Sequence, residues 1–213
     1  MATAAQTRSH KSSAKDHAGV ERRAKAAAMA KAKEIAPREP IRFGSTPKTR
    51  FRGDPGIFGR LVEDHDRHRA LFAMIEATHG KSDDRVRLFD ELVHEIKGHA
   101  AAEEQALWST VMRDPETTEF ARHAVGEHKE MDKMLADLAA RDMASSGWLQ
   151  RFTKAKEEYL HHIREEEQEQ FVESEKHLGP KDLKHMRRVF NRRKKAEKAE
   201  AEVKKKIRIK DFA

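Results

Sequence analysis

A 63-residue internal repeat constrains what this chain can fold into more than any other feature. His99-Ala-Ala-Ala-Glu103-Glu104-Gln105-Ala-Leu-Trp108 and His162-Ile-Arg-Glu-Glu166-Glu167-Gln168-Glu-Gln-Phe171 match in register, and each ends in a large aromatic residue. The same offset links His65 to His128. Each half therefore carries a lone His followed 34 residues later by His-x-x-x-Glu. Four imidazoles and two carboxylates at duplicated spacing are what a two-metal site requires. The chain has no Cys, which excludes disulfides, thiolate ligands and a Cys nucleophile. Imidazole with carboxylate suits iron, manganese or zinc.

Helix punctuation surrounds these motifs. Asp54-Pro55 and Asp114-Pro115 read as an N-cap followed by Pro at the first helical position, and Ser82 and Ser145 or Ser146 as further caps. Gly80 and Gly179-Pro180 read as stops. The punctuation predicts helices near 55–79, 82–113, 115–142 and 146–178, joined by short links that favour antiparallel neighbours. No stretch alternates with period two, so no sheet is expected. The expected fold is all-α: an antiparallel up-down four-helix bundle over 53–179.

Helical spacing places the candidate ligands on apolar stripes. The lines run Phe58, Leu61, His65, His68, Phe72, Ile75; then Phe89, Leu92, Ile96, His99, Glu103, Leu107. The third is Ala121, Ala124, His128, Met131, Leu135, Leu138, and the fourth Phe152, Ala155, Tyr159, His162, Glu166. An ionised carboxylate on a core-facing stripe is costly without a partner, and a pair of metal ions supplies one. A lone His on such a stripe reads more simply as a satisfied core histidine. Six positions matched at one offset favour the metal. Glu91-x-x-His94 and Glu158-x-x-His161 mimic the Glu-x-x-His motif of ferritin-type di-iron bundles, but their offset is 67 and they fall off the apolar lines, on the solvated face.

Charge is segregated along the chain. Residues 1–52 hold 13 Lys/Arg against 4 Asp/Glu, 180–213 hold 14 against 5, and 53–179 hold 17 against 28. Residues 1–52 have few large apolar side chains and read as a largely disordered basic extension, with transient helix at 20–35. Residues 180–213 read as a basic C-terminal helical tail. Its Leu183, Met186, Val189 and Phe190 are placed to pack on the bundle, and the run from Arg192 onward is expected to be solvated.

The order His, His-x-x-x-Glu, His, His-x-x-x-Glu, one group per helix over about 55–178, resembles the hemerythrin-like (HHE cation-binding) family. The resemblance implies two non-haem irons held by His65, His99, His128 and His162, with Glu103 and Glu166 as bridging carboxylates. The oxygen carriers of that family have a fifth His from a His-x-x-x-His pair on the third helix. Here Ala124 and Asp132 flank His128 at those positions. For His68, on the inward stripe of the first helix, three readings stay open: fifth ligand, donor to a ligand, or packed side chain. Tyr159, Glu104, Glu167, Gln105 and Gln168 are candidates to orient the imidazoles.

Such a donor set leaves positions for an oxo or hydroxo bridge and a small ligand. The expected function is binding of, or reaction with, dioxygen, nitric oxide or peroxide, in redox or iron-related stress handling; whether it turns over as an enzyme stays open. A second reading uses the basic ends for nonspecific nucleic-acid binding or scaffolding. A third makes the bundle an iron sensor. No apolar run spans a membrane and no secretory signal is evident, so a cytoplasmic location is expected, with a transit peptide as a weaker reading of the N-terminus.

Overall fold

The structure, a computed structural model, describes residues 50–210, with side chains up to residue 200. The expected disordered extension, including the transient helix at 20–35, falls almost wholly outside the described residues. Within them the fold is all-helical, with no strand.

Five principal helices are present: α1 (Ile57–Glu76), α2 (Asp83–Glu103), α3 (Thr118–Ala139), α4 (Ser146–Glu165) and α5 (Pro180–Lys210). Two are prolonged by π-helical turns. Glu104–Trp108 follows α2 and leads to a short α-helical turn, Ser109–Val111. Glu166–Gln170 follows α4 and leads to Phe171–Glu175. Helices α1 to α4 each pack on the next, α4 returns to α1, and α5 lies along α1 and α2.

The caps follow the sequence in part. The Ser82 and Ser145 hydroxyls accept from Arg85 N and Trp148 N. Asp54 is not the α1 N-cap. Gly56 is, and the Asp54 carboxylate accepts from Gly56 N at 2.7 Å. The turn before it folds over the start of α1, where a Cβ on Gly59 would lie 2.1 Å from the Asp54 carbonyl oxygen. Only glycine permits that approach. Asp114 likewise closes a turn onto Glu116 N, so α3 begins at Thr118 rather than at Pro115.

The turn at Asp54, whose N–H donates to the Phe51 carbonyl at 3.0 Å, anchors residues from the basic extension. Phe51 is buried against Phe58, and Arg52 grips Asp66 with two hydrogen bonds of 3.1 and 2.8 Å. Packing therefore starts before residue 53.

Every residue of the four apolar lines is buried. They form two apolar clusters, one around Phe58, Trp108, Phe171 and Phe190, the other around Phe72, Phe89, Trp148 and Phe152. A layer of histidines and glutamates separates them.

Helix α5 departs from expectation. Met186 and Phe190 are buried, as the apolar spacing anticipates. Lys194, expected on a solvated face, instead reaches inward to the carboxylates of Asp64 and Glu95. Arg187 donates to the carbonyls of Asp54 and Gly56 and to Glu63. Helix α5 passes close to Gly98, with Glu197 Cβ and Lys194 Cγ 3.7 and 3.9 Å from where a Cβ would stand, an ordinary contact distance.

Candidate metal centre

The six side chains singled out by the repeat converge between the two apolar clusters, and all are buried. Their donor atoms form two groups, His65–His99–Glu166 and His128–His162–Glu166, each with all atoms within 4.8 Å of one another. Glu166 belongs to both. Its Oε2 faces His65 Nε2 at 3.4 Å and its Oε1 faces His162 Nε2 at 3.5 Å. Glu103 crosses the other side, with Oε2 at 3.6 Å from His99 Nε2 and 3.4 Å from His128 Nε2.

Each imidazole is oriented by a carboxylate on its other nitrogen. His65 Nδ1 donates to Glu167 at 2.9 Å, His99 to Asp64 at 3.2 Å, His128 to Glu104 at 3.0 Å and His162 to Glu127 at 2.8 Å. These bonds turn all four Nε2 atoms inward. Glu104 and Glu167 are among the orienting residues expected from sequence. Gln105 and Gln168 are not, because both are exposed. Asp64 and Glu127 escaped the sequence reading, although they too are related by the 63-residue offset and each immediately precedes a lone His.

The π turns begin beside Glu103 and at Glu166. Each inserts an extra residue, so that Trp108 and Phe171, five residues after the glutamates, are buried. Such bulges favour functional sites because they re-aim a side chain within a continuous helix.

Electrostatics test whether a cation fits. Burial pushes the His65 imidazole well below its usual range, reinforced by the charges of His99 and Arg69, so it is neutral. With its Nδ1 proton committed to Glu167, neutral His65 presents the lone pair of Nε2 toward His99 Nε2 at 3.2 Å. A buried lone pair of this kind calls for a proton or a cation to face it. Both oxygens of Glu103 and of Glu166, and His128 Nε2, are buried with no hydrogen-bond partner. Such orphaned atoms are costly. The spacing agrees: donors about 2.1 Å from one tetrahedral ion lie about 3.4 Å apart, wider than a direct hydrogen bond of about 2.9 Å. The residues fit a pair of metal ions.

Two protons partly compensate the metal-free site. Burial disfavours charge on His128, but Glu103 and Glu104 push its pKa up to about 9. Burial likewise opposes ionisation of Glu103, and facing His128 and His99 brings it down to about 2. Glu166 goes the other way: burial, then the charge of Glu103, raises it well above the usual carboxylate range.

His68 is buried beside the centre but in neither donor group. Its Nδ1 lies 2.6 Å from the Tyr159 hydroxyl and its Nε2 has no partner. The ferritin-type set is not assembled: His94, Glu158 and His161 are exposed and Glu91 is partly so. Trp108 and Phe171 pack the core.

The model of the hemerythrin HHE cation-binding domain matches residues 57–172. Among solved structures, a hemerythrin HHE cation-binding domain-containing protein from Mycobacterium kansasii is similar at 20% identity, with a TM-score of 0.62, over 70% of this chain and 91% of that one. At that identity the likeness shows the fold. No curated protein matches the sequence.

Proposed function

This chain belongs to the hemerythrin HHE cation-binding domain family, and from that premise we propose that it is a non-haem di-iron protein whose centre binds or reacts with dioxygen, nitric oxide or peroxide. The observation that carries the reading is geometric: the Nε2 atoms of His65 and His99, 3.2 Å apart, gather with Glu166, whose two buried oxygens make no hydrogen bond and reach from His65 to His162. His65, His99 and Glu166 would hold one ion; His128, His162 and Glu166 the other, with Glu103 spanning both groups. The four helices run up and down in turn in this reading, so that each contributes one imidazole to a common layer.

Bound iron would supply a ferrous–ferric couple and open positions for a small ligand. The protein's own side chains set the rest. The carboxylates on Nδ1 fix the imidazole tautomers and raise their basicity. Phe171, stacked 6.1 Å from His65, and Met131 keep the layer apolar around the donors, which excludes bulky ligands. Tyr159 and His68 form a hydrogen-bonded pair beside His99 able to hold a proton next to a bound ligand.

Use of the basic C-terminal helix for nucleic acid is the weaker reading. Lys194 and Arg187 are engaged with Asp64, Glu95 and Glu63 of the bundle itself. Among the described residues no helix is long and apolar enough to cross a membrane.

The test is the optical spectrum and metal content of purified protein, first anaerobic, then exposed to air, peroxide and nitric oxide. Iron-dependent bands that change with one of these ligands, and vanish in His99→Ala, support the reading. An iron-loaded protein whose spectrum none of the three perturbs contradicts it.

A further inference from the structure

A second His-rich cluster lies on the outer side of His162. His123 on α3 and His161 on α4 each begin another His-x-x-x-Glu, ending at Glu127 and Glu165. His123 Nε2 lies 3.5 Å from Glu127 Oε2 and 3.4 Å from Glu165 Oε2, and His161 Nε2 lies 3.2 Å from Glu165 Oε1. His123, Glu127 and Glu165 bring one donor atom each within 4.8 Å of the others. The imidazoles are exposed and the carboxylates half-buried.

The repeat explains what this cluster lacks. In the first half Asp64, which orients His99, is neutralised by Arg60 at 2.6 Å and by Lys194 from α5. In the second half Glu127, at the position of Asp64, orients His162. Arg60 is replaced by His123, at the same offset of 63. Gly98 and Ala102, the small residues beneath α5, are replaced by His161 and Glu165. Among the described residues no helix covers this face and no lysine pairs with Glu127. Two carboxylates are left facing two imidazoles at separations of 3.2–3.5 Å, those of donors around a shared ion. A cavity of about 510 Å³ lined by His123, Glu127, Met131 and His162 joins this rim to the outer edge of the buried centre.

We propose that His123, Glu127 and Glu165, completed by His161, form a surface site for a divalent cation of the zinc or ferrous type, which takes the place that Lys194 and Arg60 fill in the other half. The site adds to the buried centre and does not depend on it. Mixed imidazole and carboxylate donors select such transition metals over calcium or magnesium. The ion would charge-balance Glu127 and so hold His162 in place, beside the open pocket that both residues line.

The experiment counts zinc bound to the metal-free full-length chain by equilibrium dialysis. The wild type is expected to bind one more zinc per chain than a His123→Ala/Glu165→Gln variant. His65→Ala, which damages only the buried centre, should still show that loss when the two surface substitutions are added. His123→Arg installs the cation that the first half carries at this position, so it should keep the wild-type melting temperature and still lose the extra zinc. Equal zinc counts in the wild type, the double variant and His123→Arg would overturn the proposal. Failure of the buried di-metal reading shows separately, as a wild type whose zinc count is unchanged by His65→Ala.

Discussion

His65 on α1 donates through Nδ1 to Glu167, in the π turn beyond α4, at 2.9 Å, and this bond closes a ring. Asp64 ties α1 to His99 on α2, Glu104 ties the end of α2 to His128 on α3, and Glu127 ties α3 to His162 on α4. Every helix of the repeat gives an imidazole to the centre and a carboxylate to a neighbour's imidazole. The ring positions the donors, so its members should matter to metal binding at the buried centre without touching the ions held there.

Asp64→Asn and Glu127→Gln test this. Each leaves a hydrogen-bond acceptor but removes the charge. Metal affinity is expected to fall about 10–100-fold with the helical content unchanged. Competition with a chromophoric chelator measures it; unaltered affinity in both variants would show that the ring does not tune the donors.

Glu91→Ala should leave bound iron intact, since Glu91 lies on the outer face of α2 in the ferritin-type motif. His99→Ala should lower iron well below two per chain. Elemental analysis of both proteins after gel filtration separates the two ligand sets.

The His128 proton gives the metal-free protein a defined pH response. Its pKa of about 9 stands above the ordinary 6.5, so the stability it adds is complete below about 6.5 and is lost as pH rises through 9. Metal must displace that proton, so through this group affinity rises about tenfold per pH unit toward 9. Glu104→Gln, which removes one of the carboxylates holding the proton, should bring the plateau to lower pH. Titration of the His128 ring by NMR in metal-free protein, and chelator competition across pH, report the two effects.

Phe190→Ala probes the cover provided by α5. Phe190 is buried edge-on to His99 at 5.6 Å, with Arg60 over its face. Its truncation is expected to cost about 3–5 kcal/mol of stability. Metal affinity should fall as well, because Lys194 loses its anchor on Asp64. Thermal unfolding with and without iron measures both.

The four stripes and the six inward donors were legible because helical period and a duplicated offset reinforce each other. Three features were not. Asp64 and Glu127 sit beside lone histidines rather than on the stripe, and a neighbour one residue away points elsewhere on a helix, toward the next helix's imidazole. The π turns have a faint signature: an aromatic five residues after each glutamate, where α spacing would place it at four. Lys194 sits in a basic run that reads as solvated surface, and its burial depends on α5 packing along α1 and α2 and on Asp64 and Glu95 requiring a cation. The cap misread at Asp54-Pro55 has a similar origin, since the close crossing that Gly59 permits is a tertiary contact.

Glu166 is the one side chain common to both donor groups. The most direct test is therefore the iron content, after anaerobic ferrous reconstitution and gel filtration, of the wild type and of Glu166→Ala, in full-length chains whose folding is checked by circular dichroism. The account predicts two buried irons per wild-type chain, besides any held at the surface cluster, and loss of both from the variant. A wild type that retains a single iron or none, or a folded variant that retains both, would contradict it.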